Sequence, residues 1–183
     1  MAEDPSDDFI LQLFTNEKTK EHAFEMLVKK YKVYVYTTIR RIVALHDDTN
    51  DISQNVFIKI WRHLSGFRGE ASLKTWITRI CTNETYTFIE KKKKLMHLND
   101  DSYTDWMLTS IPEEKYISSD KIVQLVQKAI QTLPQKQKAV FTLRYYDEMP
   151  YEEMSKVLNT SVGALKASYH FAVKKIEEFI SKH

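Results

Sequence analysis

Tyr151-Glu-Glu-Met-Ser-Lys-Val-Leu-Asn-Thr-Ser-Val-Gly-Ala-Leu-Lys-Ala-Ser-Tyr-His-Phe-Ala-Val-Lys-Lys-Ile176 reads as two short helices joined by a tight polar turn. Met154, Val157 and Leu158 on the first helix can share a small core with Val162, Leu165 and Tyr169 on the second. Asn159 stands at the turn, where a left-handed backbone is often needed and Asn tolerates it better than most non-glycine residues. Ser161 supplies a cap for the second helix. That helix, opening at Val162, offers Lys166, Ser168 and His170 toward a groove, with Lys174 and Lys175 near phosphates. The pattern is that of a helix-turn-helix. Spacing alone also suits a generic helical hairpin with a solvated basic face. The order of parts favours DNA binding: helix, polar turn, cap, then a basic helix closing a four-helix unit.

Upstream of this motif the chain stays helical. Ile122, Leu125, Val126 and Ile130 mark a helix over Asp120 to Gln131. Pro134 suits the first position of the next, which holds Ala139, Val140, Leu143 and Tyr146, and Pro150 starts a short helix to Leu158. Residues 95–119 differ: Asp100, Asp101, Asp105, Glu113 and Glu114 stand against Lys115 alone, Pro112 interrupts, and no apolar period persists. This stretch is expected to be an acidic linker with at most a helical turn around Trp106.

In the first half, Asp7 to Phe14 is a short amphipathic helix. Ala23, Leu27, Tyr31, Val35, Ile39 and Val43 then fall at helical spacing over Thr19 to Ala44. The run Tyr31 to Ile39 is rich in strand-formers, yet the period of four passes through it unbroken. His46 to Asn50 is expected to be a polar break. Asp51 to Leu64 is a helix with Ile52, Val56, Ile60 and Leu64 on one face, Ser65 to Gly69 is a loop, and Ser72 to Lys94 is a helix burying Leu73, Trp76, Ile77, Ile80 and Cys81.

Three glycines and four prolines in 183 residues argue for long helices and against a turn-rich sheet fold. The expected fold class is all-α: two small helical domains, 7–94 and 120–183, joined by an acidic linker over 95–119. A formal charge of +2 is modest for a nucleic-acid binder, so the placement of charge matters more than its sum. One cysteine, Cys81, allows no internal disulfide, and its apolar neighbourhood makes it a core residue. Six histidines lack zinc-ligand spacing, and no cofactor is expected. No glycine-rich phosphate loop or nucleophile–base pair points to an enzyme. The acidic N-terminus lacks a signal-peptide pattern and no apolar run reaches membrane-spanning length, so the expected location is the cytoplasm.

From Arg62 to Lys94, eight cations (Arg62, Arg68, Lys74, Arg79 and Lys91 to Lys94) face three carboxylates (Glu70, Glu84, Glu90). Phe67, Trp76, Tyr86 and Phe88 interleave with them. Cations track phosphates and aromatic rings stack on unpaired bases, a pairing that suits opened or single-stranded DNA. For Trp76 a core role is the better reading; Phe67, in a glycine-flanked loop, fits a core role less comfortably.

Asp51-Ile-Ser-Gln-Asn-Val-Phe-Ile-Lys-Ile-Trp61, Phe67-Arg-Gly-Glu-Ala-Ser-Leu-Lys-Thr-Trp-Ile-Thr-Arg-Ile-Cys-Thr-Asn83 and Leu133-Pro-Gln-Lys-Gln-Lys-Ala-Val-Phe-Thr-Leu-Arg-Tyr-Tyr146 together resemble the small extracytoplasmic-function group of the sigma-70 family. These are specificity subunits of bacterial RNA polymerase. The resemblance covers Phe24 to Lys94 and Ile122 to Phe179, and the acidic stretch falls where the family has its linker.

What the resemblance implies is residue-specific. Asp51, Gln54, Asn55, Phe57 and Trp61 fall in the motif that docks on the polymerase β′ clamp, with Phe57 and Trp61 as largely internal supports; the family often has an acidic residue where Asn55 stands. Phe67 and Asn83 match positions that engage the melted −10 element, with Arg68, Lys74, Arg79, Lys91 and Lys92 following its backbone. Ser161, Val162, Lys166, Ser168, His170 and Lys174 lie on the segment that reads the −35 duplex. Ser168, Phe171 and Val173 stand where basic residues are frequent, which implies weaker affinity and a smaller salt slope. Phe171 could pack inward or reach a thymine methyl. Implied partners are core RNA polymerase (β′ clamp and β subunit), promoter DNA in duplex and melted form, and an anti-sigma factor. The rival reading is a stand-alone helix-turn-helix regulator, which would need its own dimer interface or sensor domain.

Overall fold

A computed structural model describes residues 5–43, 45–110 and 121–182, with the side chains of 121–123 excepted. Among these residues the regular structure is helical: α1 (Asp7–Phe14), α2 (Lys20–Val43), α3 (His46–His63), α4 (Leu73–Met96), α5 (Asp100–Ser110), α6 (Lys121–Gln131), α7 (Gln135–Tyr145), α8 (Tyr151–Leu158) and α9 (Val162–Ile180), plus a 3₁₀ turn at Leu64–Gly66.

The strand-forming run of α2 is decided by side-chain phase. Alternation would put Val33 and Val35 on one side; instead Val33 is 65% exposed and Val35 is fully buried. Tyr31, Val35 and Ile39 form one stripe against α1, α3 and α4. α3 begins at His46, five residues before the expected start. The polar run His46 to Asn50 is its first turn, where Asp47 and Asp48 complement the positive end of the helix, and the Thr49 hydroxyl donates to the Leu45 carbonyl at 2.6 Å.

α4 is capped by Ser72, whose Oγ accepts from the Thr75 N–H at 3.1 Å. Leu73, Ile77 and Cys81 are buried as expected, whereas Trp76 and Ile80 are only partly so. Threonines complete the buried face: Thr78, Thr82 and Thr85 donate to the carbonyls of Lys74, Thr78 and Cys81, which satisfies each hydroxyl within the helix. The helix stops at His97, in the left-handed conformation at φ 54°.

The expected linker is partly a helix. α5 anchors Tyr103 and Met107 in the first core, and Asp100, which opens it, pairs with the basic end of α4. Lys93 binds Glu90 and Asp100; Lys92 binds Asp48 and lies 4.7 Å from the Trp106 ring centre. The rest of that stretch, with Pro112, Glu113, Glu114 and Lys115, lies outside the described residues.

The second unit has two small cores. Ala129, Ile130, Leu133 and Phe141 meet Ala172 and Ile176; Val140, Leu143, Met149, Met154 and Val157 meet Leu165. Leu158 and Tyr169 flank the latter as expected, but Val162 is not part of it. Pro134 and Pro150 sit one residue before their helices rather than at the first helical position; their carbonyls accept from Lys138 and Met154.

Candidate nucleic-acid interface

The helix-turn-helix is α8, a two-residue turn with its cap, and α9. Asn159 adopts φ 48°, ψ 48°, the left-handed geometry that ends α8 sharply. Ser161 Oγ accepts from the Ala164 N–H at 3.3 Å, so its hydroxyl is occupied in starting α9. Leu165, Ala172 and Ile176 are buried, while Lys166, His170 and Lys174 are exposed on the opposite side. Val162 and Ser168 are half-buried at the flanks.

The loop before α4 carries the second group of predicted residues. Phe67 is half-buried and meets the Trp76 ring edge-on, centroids 5.6 Å apart. Arg79 and Asn83 are exposed and follow Trp76 at helical spacing, so these four share one side of the domain. Arg68 is exposed beside them. Lys74 is exposed with its ammonium 4.7 Å from the Tyr34 ring centre. Lys91 is exposed; Lys92, committed to Asp48, is not free to follow a phosphate backbone in this arrangement.

On α3, Asp51, Gln54 and Asn55 form an exposed polar strip. Phe57 is half-buried against the core. Trp61 lies edge-on to both Phe14 and Phe24, at 5.5 and 5.0 Å. Both aromatics are half-buried and turn toward the core rather than lying in the exposed strip.

Sequence reasoning missed the contacts between the two units. α8 packs on α4 and α7 on α2. Arg41 Nη1 donates to Asp147 Oδ1 at 3.1 Å and Thr75 Oγ1 donates to Glu153 Oε2 at 2.8 Å. Gln131 Nε2 donates to the Arg41 carbonyl at 3.0 Å, and the Arg41 guanidinium lies 4.3 Å from the Tyr146 ring centre. Burial raises the Asp147 carboxyl above the usual range, against the opposing pull of Arg41 and Lys74. A cleft of about 650 Å³ separates Phe67, Arg68, Trp76 and Arg79 from Lys156 and Asn159 of the helix-turn-helix. Sequence reasoning also missed Lys138: its side chain is buried, donates to Gln131 Oε1 at 3.0 Å, and has its pKa lowered by desolvation to about 7. Single polar residues on separate helices leave no periodic signal, so nothing in the sequence marks them as partners.

Two all-helical units, one ending in a helix-turn-helix and the other bearing its own face of cations and aromatics, define a modular helical DNA-binding protein. Comparisons sharpen the class. The family described as sigma-70 region 2 matches residues 27–95, and that described as sigma-70, region 4 matches 124–176. The ECF RNA polymerase sigma factor SigW of Bacillus subtilis is 28% identical over 162 residues, covering 84% of this chain and 87% of SigW. The ECF RNA polymerase sigma-E factor of Escherichia coli K12 is 26% identical over 185 residues, covering 97% of this chain and 95% of its own. In structure, CnrH in complex with the cytosolic domain of CnrY superposes with a TM-score of 0.67 at 18% identity, over 96% of this chain and 97% of CnrH. The sigma factor RpoE of Bartonella quintana, in complex with the anti-sigma factor NepR, gives 0.68 at 18% identity, over 86% of this chain and 96% of RpoE. The chain belongs to the sigma-70 family of RNA polymerase sigma factors, in its extracytoplasmic-function group.

Proposed function

We propose that this chain is a dissociable promoter-specificity subunit that binds core RNA polymerase, captures unpaired −10 bases with its first unit and holds the −35 duplex with α9. The observation that carries the reading is the division of labour on the surface. A polar strip on α3, an aromatic and cationic face around Phe67, and a cationic outer face on α9 are separate and all solvent-accessible. In this scheme Asp51, Gln54 and Asn55 hydrogen-bond to the polymerase clamp, backed by Phe57 and Trp61.

Phe67 and Trp76 form an aromatic wall, and the Asn83 amide offers both donor and acceptor to a base edge. Such groups suit a base taken out of the stack, which presents both its face and its Watson–Crick edge. Arg68, Lys74, Arg79 and Lys91 would neutralise phosphates. The chemistry of chain growth belongs to the polymerase. Two of the structural relatives are bound to partners, one of them the anti-sigma factor NepR, and by that analogy this chain also takes an anti-sigma partner. Among the described residues no helix is long and apolar enough to cross a membrane. The proposed site of action is the cytoplasm, where the polymerase works.

The test is reconstitution with core enzyme. The chain should co-purify with it and direct start-site-specific transcription in vitro. The double variant Asp51→Ala/Gln54→Ala should lose core affinity while keeping its helical content. Core affinity equal to the parent would remove the proposed docking strip, and absence of both core binding and promoter selection would remove the sigma reading itself.

A further inference from the structure

α9 carries an aromatic side chain that its own packing does not use. Leu165, Ala172 and Ile176 fill the inner side of the helix, and both small cores close without Phe171, which is 54% exposed. The structure therefore decides between the two readings of this residue left by the sequence: it points out. Ala164 and Ala167 are exposed too, and with Phe171 they stand at i, i+3 and i+7, one strip along the helix. A side-chain carbon added at Gly163, on the same outer side, would meet nothing within 4 Å.

The surroundings of this strip indicate its occupant. Lys166, His170 and Lys174 run along one side and Lys175 lies on the other, and α9 carries no carboxylate before Glu177. An apolar strip edged by Lys166, Lys174, Lys175 and the polar ring of His170, with Glu178 paired to Lys174 at 3.9 Å, is complementary to a polyanion with apolar groups on its inner surface. The major groove is such a surface. It admits a helix, is walled by phosphates, and at each A·T pair displays the thymine 5-methyl, which Ala and Phe contact directly. A protein partner would be expected to meet these cations with carboxylates, and is the alternative that the test below must separate.

We propose that Ala164, Ala167 and Phe171 read thymine 5-methyl groups in the duplex bound by α9, with Phe171 as the specificity-determining contact. The inference rests on α9 being the −35 helix and adds the chemistry that it selects: thymines beneath the third turn, recognised by shape and desolvation rather than by hydrogen bonds.

The experiment uses holoenzyme reconstituted from core polymerase and the full chain. Preferred −35 sequences are selected, then each thymine is replaced by deoxyuridine, which keeps every hydrogen-bonding group and removes only the methyl. At one or two positions binding should weaken about fourfold, the weight of one buried methylene. Phe171→Ala should bind the thymine and uracil templates equally, and Phe171→Leu should restore part of the difference. Because the side chain is exposed, the helical content of both variants should match the parent.

Three results would overturn the proposal: a selected −35 element without thymine, no position sensitive to methyl removal, or a thymine preference unchanged in Phe171→Ala. A Phe171→Ala variant that keeps the preference but loses core affinity would assign the residue to a protein contact instead. Holoenzyme that assembles and selects promoters while ignoring the methyl refutes this inference alone. Failure to assemble or to select promoters refutes the sigma reading, and this inference with it.

Discussion

The buried lysine of α7 should give the fold a specific alkaline signature. Lys138 titrates near 7 in the folded chain against an ordinary 10.5. Between these values the unfolded chain binds a proton that the folded chain does not, so stability must rise with pH across the window. For a single group, pKa values of about 7 and 10.5 correspond to a gain of about 2 kcal/mol between pH 7 and pH 9. Lys138→Met removes that titration. It also leaves Gln131 Oε1 without its donor, a cost of about 1–3 kcal/mol that does not depend on pH in this range. The readout is therefore the difference between parent and variant, in which the other titrating groups cancel. Urea denaturation at pH 7, 8 and 9 should show the parent gaining about 2 kcal/mol on Lys138→Met. A difference that stays flat would mean that Lys138 is charged in the folded chain, and the account of its burial would fail.

Other expectations follow from single contacts. Asp147→Ala removes the acceptor of Arg41, a charge-assisted bond worth about 1.5–3 kcal/mol, so small-angle scattering should report a larger average size; an unchanged profile would deny the contact its role in holding the units together. Phe67→Ala in the holoenzyme should abolish promoter opening while closed-complex binding persists, read by permanganate footprinting and gel shift; equal loss of both would argue against a stacking role. Ser161→Ala removes the cap of α9 and should cost about 1 kcal/mol by denaturation, with Ser161→Asp retaining most of it.

Much of this structure is legible in the sequence, for physical reasons that differ by element. α2 was legible because its period of four persists through a strand-forming run. The helix-turn-helix was legible almost to the residue, since its turn demands a left-handed position and a cap, and Asn159 and Ser161 supply them. The start of α3 is hidden because a polar run resembles a break, whereas acidic residues are what a helix start favours. α5 is not legible because two apolar anchors, Tyr103 and Met107, are too few to make a period, and it is held by these anchors in the first core and by Asp100 and Trp106 against the lysines of α4. On α4 the threonines hid part of the buried face, since a hydroxyl satisfied by its own helix packs much like an apolar group. Most of the predicted site residues are exposed; Phe57, Trp61, Phe67, Val162 and Ser168 are half-buried, and the charge of Lys92 is already claimed by Asp48. The contacts between the units lay beyond any local pattern.

Those contacts set a thermodynamic threshold for everything the chain binds. B-form DNA rises about 3.4 Å per base pair, so elements near −10 and −35 lie about 85 Å apart. A compact chain of this length has a radius of gyration of about 16 Å and cannot touch both. On the proposed function, the working form is therefore the separated one. Every partner that needs it binds more weakly by the fraction of molecules already apart. If holding the units together is worth about 2.7 kcal/mol, that attenuation is about a hundredfold. A partner that grips the joined form meets it already populated and binds near its intrinsic affinity. Reciprocity then makes the contacts of Arg41 with Asp147 and of Thr75 with Glu153 a single dial setting the competition between two classes of partner, with no need for those partners to share a surface.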